Sequence, residues 1–112
     1  MKKNQIQVSI YTTIFNVASY KWNCIKNISE QTYSNFEWVV IYDKDEDRRL
    51  FEKLTNNDGR IVLYKNFRKG RFAALNLAIQ KCKSEFVFNQ DFDDLPSLDR
   101  IDLQLNALKQ NK

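Results

Sequence analysis

Three aspartates, Asp91, Asp93 and Asp94, fall within the stretch Asn89-Gln90-Asp91-Phe92-Asp93-Asp94, directly after the apolar segment Phe86-Val87-Phe88. Carboxylates crowded this closely repel one another unless a cation lies among them. The chain has no histidine, so a metal here is held by oxygen alone. That donor set suits Mg²⁺ or Mn²⁺ bound through one or two carboxylates and completed by substrate phosphates. The same absence excludes Ser-His-Asp triads and histidine-ligated zinc. The competing account is an acidic cap on the helix that follows, because helix N-termini favour carboxylates. It explains Asp94 fully, and Asp91 and Asp93 less well.

A second constellation is spread over two loops. Thr13 and Phe15 lie at the end of the first apolar segment and Asp43 at the end of the second. A ring can stack on a base while a carboxylate accepts the imino proton of uracil or guanine, so together they make a nucleoside pocket. The plainer account puts Phe15 in the core and starts a turn at Asp43. Positive charge concentrates at Lys65, Arg68, Lys69 and Arg71, within a chain of net charge +4. Such a cluster fits an anionic partner, whether a nucleotide diphosphate, RNA or an anionic membrane surface, or is simply a solvated basic face. Nucleic acid is not expected, because no aromatic-studded strand surface is present to stack bases.

The elements that must position these residues follow from hydrophobic period. Ile6 to Tyr11 alternates before the apolar pair Ile14 and Phe15, Phe36 to Tyr42 is nearly continuous, and Ile61–Tyr64 and Phe86–Phe88 are shorter runs. Runs of this kind read as strands buried in a parallel sheet. Helical spacing joins Ala18, Trp22, Ile25 and Ile28, then Leu50, Phe51 and Leu54, then Leu75, Ala78, Ile79 and Cys82, and last Leu98, Ile101, Leu105 and Leu108. Asn57-Asp58-Gly59 is the stop of the second helix, and Ser97 is placed to cap the fourth.

Strands alternating with helices predict an α/β fold, a Rossmann-like parallel sheet of four strands with flanking helices. Ligands of such sheets bind at the carboxyl ends of strands, near the point where the chain crosses to the other side of the first strand. The loops after Ile14, Tyr42, Tyr64 and Phe88 are therefore the ones to inspect.

The order of segments resembles the inverting glycosyltransferases of family 2, which include cellulose, chitin and hyaluronan synthases and many bacterial polysaccharide enzymes. The likeness covers nearly the whole chain. Val8-Ser9-Ile10 through Phe15-Asn16 is similar to the family's opening strand, with Phe15 where tyrosine is usual and Thr13 where proline is commoner. Gln31-Thr32-Tyr33-Ser34-Asn35-Phe36-Glu37 is similar to its passage from first helix to second strand. Val40-Ile41-Tyr42-Asp43 resembles the strand that ends in paired aspartates, with Tyr42 replacing the first. Ala73 to Ile79 resembles the helix before the acidic strand, and Glu85-Phe86-Val87 through Asp91-Phe92-Asp93-Asp94-Leu95 the strand and its metal-binding Asp-X-Asp motif.

The resemblance implies a truncated GT-A fold whose ligand is a nucleotide diphosphate sugar, with a UDP-sugar favoured. It implies that Asp43 bonds the base beside Thr13 and Phe15, and that Lys69 or Arg71 reaches the base or the diphosphate. Asp93 becomes the main ligand of Mg²⁺ or Mn²⁺, and Asp91 contacts the ribose or the metal. The family's acceptor site and catalytic base lie well beyond the acidic loop. No catalytic residue is therefore assigned, and the chain is expected to bind donor without efficient turnover. The alternative is a non-catalytic nucleotide-binding or interaction module built on the same fold.

Composition sets the remaining expectations. With 43% apolar and 29% charged residues in 112, residues 1–112 form one nucleotide-sugar-binding domain. No apolar run approaches the ~20 residues that span a bilayer, so no transmembrane segment is expected and the cytoplasm is the default compartment. Cys24 and Cys82 read as buried reduced thiols. If the fourth strand pairs with the first, its other edge is left open, and a homodimer through that edge is expected.

Overall fold

The computed structural model describes residues 7–14 and 23–110. Four strands and four helices alternate: β1 (Val8–Ile14), α1 (Asn23–Ser29), β2 (Phe36–Tyr42), α2 (Asp45–Leu54), β3 (Ile61–Lys65), α3 (Arg71–Lys81), β4 (Phe86–Asn89) and α4 (Arg100–Gln110). All pairings are parallel, in the order β3-β2-β1-β4. The expected α/β class and the pairing of the fourth strand with the first are both found.

The order dictates the layers. From β1 to β2 to β3 the chain steps in one direction, and right-handed crossovers keep α1 and α2 on one face. From β3 it must step back past β2 and β1 to reach β4, so the same handedness sends α3 to the opposite face. The two cores reflect this. Ile10, Trp38 and Val40 pack with Cys24, Ile28, Phe51, Ile101 and Leu105 on the face of α1, α2 and α4, whereas Val39 and Ile41 pack with Ala74 and Ala78 of α3. Alternate residues of β2 thus serve opposite cores, which is why its sequence is almost continuously apolar.

β1 ends at Ile14, where the first loop was expected to begin, and Thr12 within it is buried and pairs with Val40. Ile6, Phe15, Ala18 and Trp22 lie outside the described residues. The face of α3 also differs from expectation: Ala74 and Ala78 are buried while Ile79 is 57% exposed. Small side chains four residues apart let the helix close against Val39 and Ile41, and that close approach selects the face. In α2, Phe51 is buried edge-on against Trp38, with ring centroids 5.4 Å apart, while Leu54 is exposed. In α4, Ile101 and Leu105 carry the contact and Leu98 and Leu108 are exposed. The stop after α2 is made by Asn56 and Asn57, both at positive φ, rather than by Gly59. Asparagine tolerates that region better than most residues.

The thiols divide. Cys24 is fully buried, and burial pushes it up to about 12, with a further upward push from Asp93 and Asp94. Cys82 is only half-buried and is raised to about 11, by burial first and then by Glu37. Both are protonated at neutral pH.

The start of α4 is held by a residue far away in the chain. Ile101 donates its main-chain amide to Gln31 Oε1 at 3.0 Å, and Gln31 Nε2 donates to the carbonyls of Asn27, at 3.0 Å, and Ser97, at 2.5 Å. Ser97 therefore enters through its carbonyl, and the first-turn amide of Ile101 is met by Gln31. Asn27 Nδ2 to the Pro96 carbonyl and the Thr32 amide to the Leu98 carbonyl complete the seam. Gln31 is buried, so Gln31→Leu leaves these groups without partners. It should lower stability by about 1–3 kcal/mol, read as a reduced urea midpoint at unchanged m-value.

Candidate functional site

The carboxyl ends of β1, β2 and β4 open on one side of the sheet, at the switch point where β4 pairs with β1 rather than continuing beyond β3. Thr13 is half-buried near the end of β1, opposite Ile41, and Asp43 is exposed immediately after β2. Asn89 lies beside Tyr11 in the register of β1 and β4, so the acidic loop emerges next to the end of β1. β1 separates Asp43 from that loop, two inter-strand spacings or roughly 10 Å. Lys69 and Arg71 flank Gly70 on the approach to α3, and both are exposed. Gly70 has φ 107°, a conformation that a side chain would strain. Phe15 falls outside the described residues.

Asp91, Asp93 and Asp94 are brought together. Each offers a carboxylate oxygen, and these atoms lie within 4.8 Å of one another. All three residues are exposed, and none of the ion pairs among the described residues involves them. The loop turns on itself through the Asp94 amide, which donates to the Asp91 carbonyl at 3.2 Å. Between the acids, Phe92 is buried in the larger core. An exposed, all-oxygen trio outside any of those ion pairs fits a hard divalent cation by the chemistry of its donors.

Several residues that organise this region escaped the sequence reading. Gln90 is 2% exposed and donates through Nε2 to the carbonyls of Asp91, at 2.7 Å, and Asp94, at 3.3 Å. Arg100 donates to Gln90 Oε1, to the Asn89 carbonyl at 2.8 Å and to Gln104 Oε1 at 3.1 Å. Burial lowers its pKa from the ordinary value, against an opposing influence of Asp94 and Asp91. Its N–H groups thus serve neutral acceptors, and its charge stands beside the acids without pairing. At the other end of the site, Asn66 Nδ2 donates to Asp43 Oδ1 at 3.1 Å, tying the end of β2 to the loop before α3. Tyr42, which stands where the resembling strands carry an aspartate, is buried in the core with Arg48 over its ring at 5.9 Å.

Gln90, Asp91, Asp94, Leu95, Pro96 and Arg100 line part of a cavity of about 370 Å³. A larger one, of about 650 Å³, lies at the opposite edge of the sheet between β3 and α3. Size does not make it the site: the convergent carboxylates stand at the smaller cavity.

This architecture is the GT-A type of α/β fold. Similar solved structures include Staphylococcus aureus TarS 1-349 in complex with UDP (TM-score 0.78, 19% identity, covering 94% of this chain and 32% of that one). Another is the mannosyltransferase PcManGT from Pyrobaculum calidifontis in complex with GDP-Man and Mn²⁺ (TM-score 0.73, 27% identity, 92% and 31%). The chain belongs to Glycosyl transferase family 2, which its residues 9–112 match. Among curated relatives, an Escherichia coli UDP-Glc:alpha-D-GlcNAc-diphosphoundecaprenol beta-1,3-glucosyltransferase, WfgD, is 30% identical over 93% of this chain and 42% of its own length. An uncharacterized glycosyltransferase of Rickettsia bellii is 30% identical over 94% of this chain and 15% of its own length. The chain thus spans less than half the length of these relatives. No helix among the described residues is long and apolar enough to cross a membrane.

With no cation present, the three carboxylates repel. Because Arg100 is drawn to Asp94 and Asp91, the variant that isolates the repulsion is Asp93→Asn, which should raise the melting temperature of chelator-treated protein at low salt by the equivalent of about 1 kcal/mol for unit charges at this spacing in water. The gain should shrink as salt is added. A thermal-melt series in salt checks both the sign and the screening.

Proposed function

We propose that this chain is the donor-binding half of a glycosyltransferase, taking a nucleotide diphosphate sugar, with UDP preferred, through Mg²⁺ or Mn²⁺. The observation that carries the reading is the convergence of Asp91, Asp93 and Asp94 at the switch point of a sheet belonging to Glycosyl transferase family 2. Asp93 is the main metal ligand, and Asp91 contacts the metal or the ribose. Asp43 accepts the imino proton of the base, with Thr13 and Phe15 beside it. Its Oδ1 already receives Asn66, which leaves the other oxygen for that bond. The base at β2 and the metal at β4 leave ribose and diphosphate to lie across the end of β1. Lys69 and Arg71 add positive charge toward the diphosphate from the start of α3, where free helix amides also favour an anion.

When bound, the cation neutralises the diphosphate and stabilises it as the leaving group of glycosyl transfer. The chain's own contribution is to hold donor and cation in register. PcManGT, 27% identical to this chain, is solved in complex with GDP-Man and Mn²⁺, which supports a nucleotide sugar and a divalent cation as ligands here.

Metal dependence is the sharpest consequence. A diphosphate brings about two to three negative charges toward an acidic loop, and only a cation between them reverses the sign of that interaction. Calorimetry with UDP should show binding in Mn²⁺, little in chelator, and a loss with Asp93→Ala larger than with any other single substitution. Equal binding under all three conditions would make the loop a helix cap and remove the metal assignment.

Base preference is separately testable. Neutral cytosine offers no imino proton to Asp43, so UDP should bind more tightly than CDP in Mn²⁺. Asp43→Ala should erode that preference by roughly 1.5–3 kcal/mol, a hydrogen bond to a charged group. Equal affinities for the two nucleotides in the unsubstituted chain would show that Asp43 does not read the base.

A further inference from the structure

We infer that Gln90 is a positioning residue for the divalent cation: its buried amide holds the acidic loop in the shape that a small, octahedral ion requires. The inference rests on the metal reading of Asp91, Asp93 and Asp94 and adds a residue to it. Gln90 has every polar group engaged. Its main-chain amide donates to the Tyr11 carbonyl at 3.0 Å, and its own carbonyl receives Thr12 Oγ1 at 2.6 Å. Thr12 Oγ1 in turn receives Trp38 Nε1 at 2.9 Å, which anchors the loop through β1 to the middle of the sheet. The side chain then reaches forward. Nε2 clips the carbonyls of Asp91 and Asp94, the two ends of the acidic turn, and Oε1 receives Arg100.

Carbonyls on one side and a guanidinium on the other fix which way the amide points. A carboxylate in its place has no hydrogens for the two carbonyls, and an apolar side chain satisfies neither side. The bonds that close the turn are uncharged on the loop's side, so they oppose the mutual repulsion of the acids without neutralising them. The carboxylates stay available for a cation.

Rigidity of this kind has a chemical signature. Mg²⁺ demands near-ideal octahedral geometry at short distances, and the similarly sized Mn²⁺ is held by the same oxygen sets, whereas Ca²⁺ accepts variable geometry at longer range. Loosening the turn should therefore cost Mn²⁺ more than Ca²⁺. General destabilisation of the fold has no reason to discriminate between the ions.

The test is Mn²⁺ titration of the full chain followed by electron paramagnetic resonance of free Mn²⁺, with Ca²⁺ affinity from competition. Gln90→Met should weaken Mn²⁺ by roughly tenfold or more, the usual cost of losing a residue that orients metal ligands, while Ca²⁺ changes by much less. Arg100→Lys keeps the charge beside the loop but removes the fork that grips Gln90 Oε1 and the Asn89 carbonyl. It should shift the Mn²⁺ to Ca²⁺ ratio in the same direction, and it decides the matter if Gln90→Met does not fold. Unchanged Mn²⁺ affinity in the folded variants, or an equal fall for both ions, overturns the inference. An unsubstituted chain that binds no Mn²⁺ sinks the metal reading and this inference together, a result distinct from binding that ignores Gln90.

Discussion

Crossover handedness is the constraint on which the rest of the molecule depends. Two steps in one direction put α1 and α2 on one face, and the reversal after β3 leaves α3 alone on the other. The reversal also sets β4 beside β1, so that their carboxyl ends form the switch point of the sheet. Among the described residues, the candidates Thr13, Asp43, Lys69, Arg71, Asp91 and Asp93 all stand at that end of the sheet. Asp43, the approach to α3 and the acidic loop follow three different strands, yet they share one end of the sheet because all its strands are parallel.

What was legible in the sequence is what depends on local period. β2 and β4 were readable as apolar runs, and the trio of acids was readable because its members are neighbours in the chain. The α3 face was misread because leucine and isoleucine dominate a hydrophobicity pattern, whereas close packing on Val39 and Ile41 selects alanine. The end of β1 at Ile14 was legible, but the burial of Thr12 was not, because its hydroxyl is engaged by Trp38 and Gln90 from distant parts of the chain. Long-range bonds leave no local trace. Gln31 serves the start of α4 and Asn66 serves Asp43, and in each case the partner lies in a different βα unit.

These buried polar side chains have a common arrangement. Ser9, Thr12, Gln31, Asn66 and Gln90 are all buried, and each is hydrogen-bonded. Partnered in this way, their burial costs little, and it specifies one register where an apolar core alone tolerates several. Gln31 and Gln90 bracket the segment from Asn89 to Ile101: one fixes where the acidic loop begins, the other where α4 begins. The acids between them therefore have both ends of their segment tied to the sheet side of the molecule.

The alternation of the last strand carries further than its hydrogen-bonded residues. From Phe88 to Asp93 burial alternates without a break: Phe88, Gln90 and Phe92 are inside, and Asn89, Asp91 and Asp93 are outside. Period two is the signature of extended chain, and it carries past Asn89, the last residue of β4, as far as Asp91, where the turn closed by the Asp94 amide takes over. Phe92 is the anchor of that continuation, because its ring enters the core shared with Cys24 and Ile101. With Phe92 buried, Asp91 and Asp93 on either side of it face outward. Asp94 breaks the alternation, and it joins Asp91 and Asp93 only because its amide folds back to the Asp91 carbonyl. Asp91 is therefore placed by the end of the extended strand and Asp93 and Asp94 by the turn, and the same amide of Gln90 spans the junction between the two.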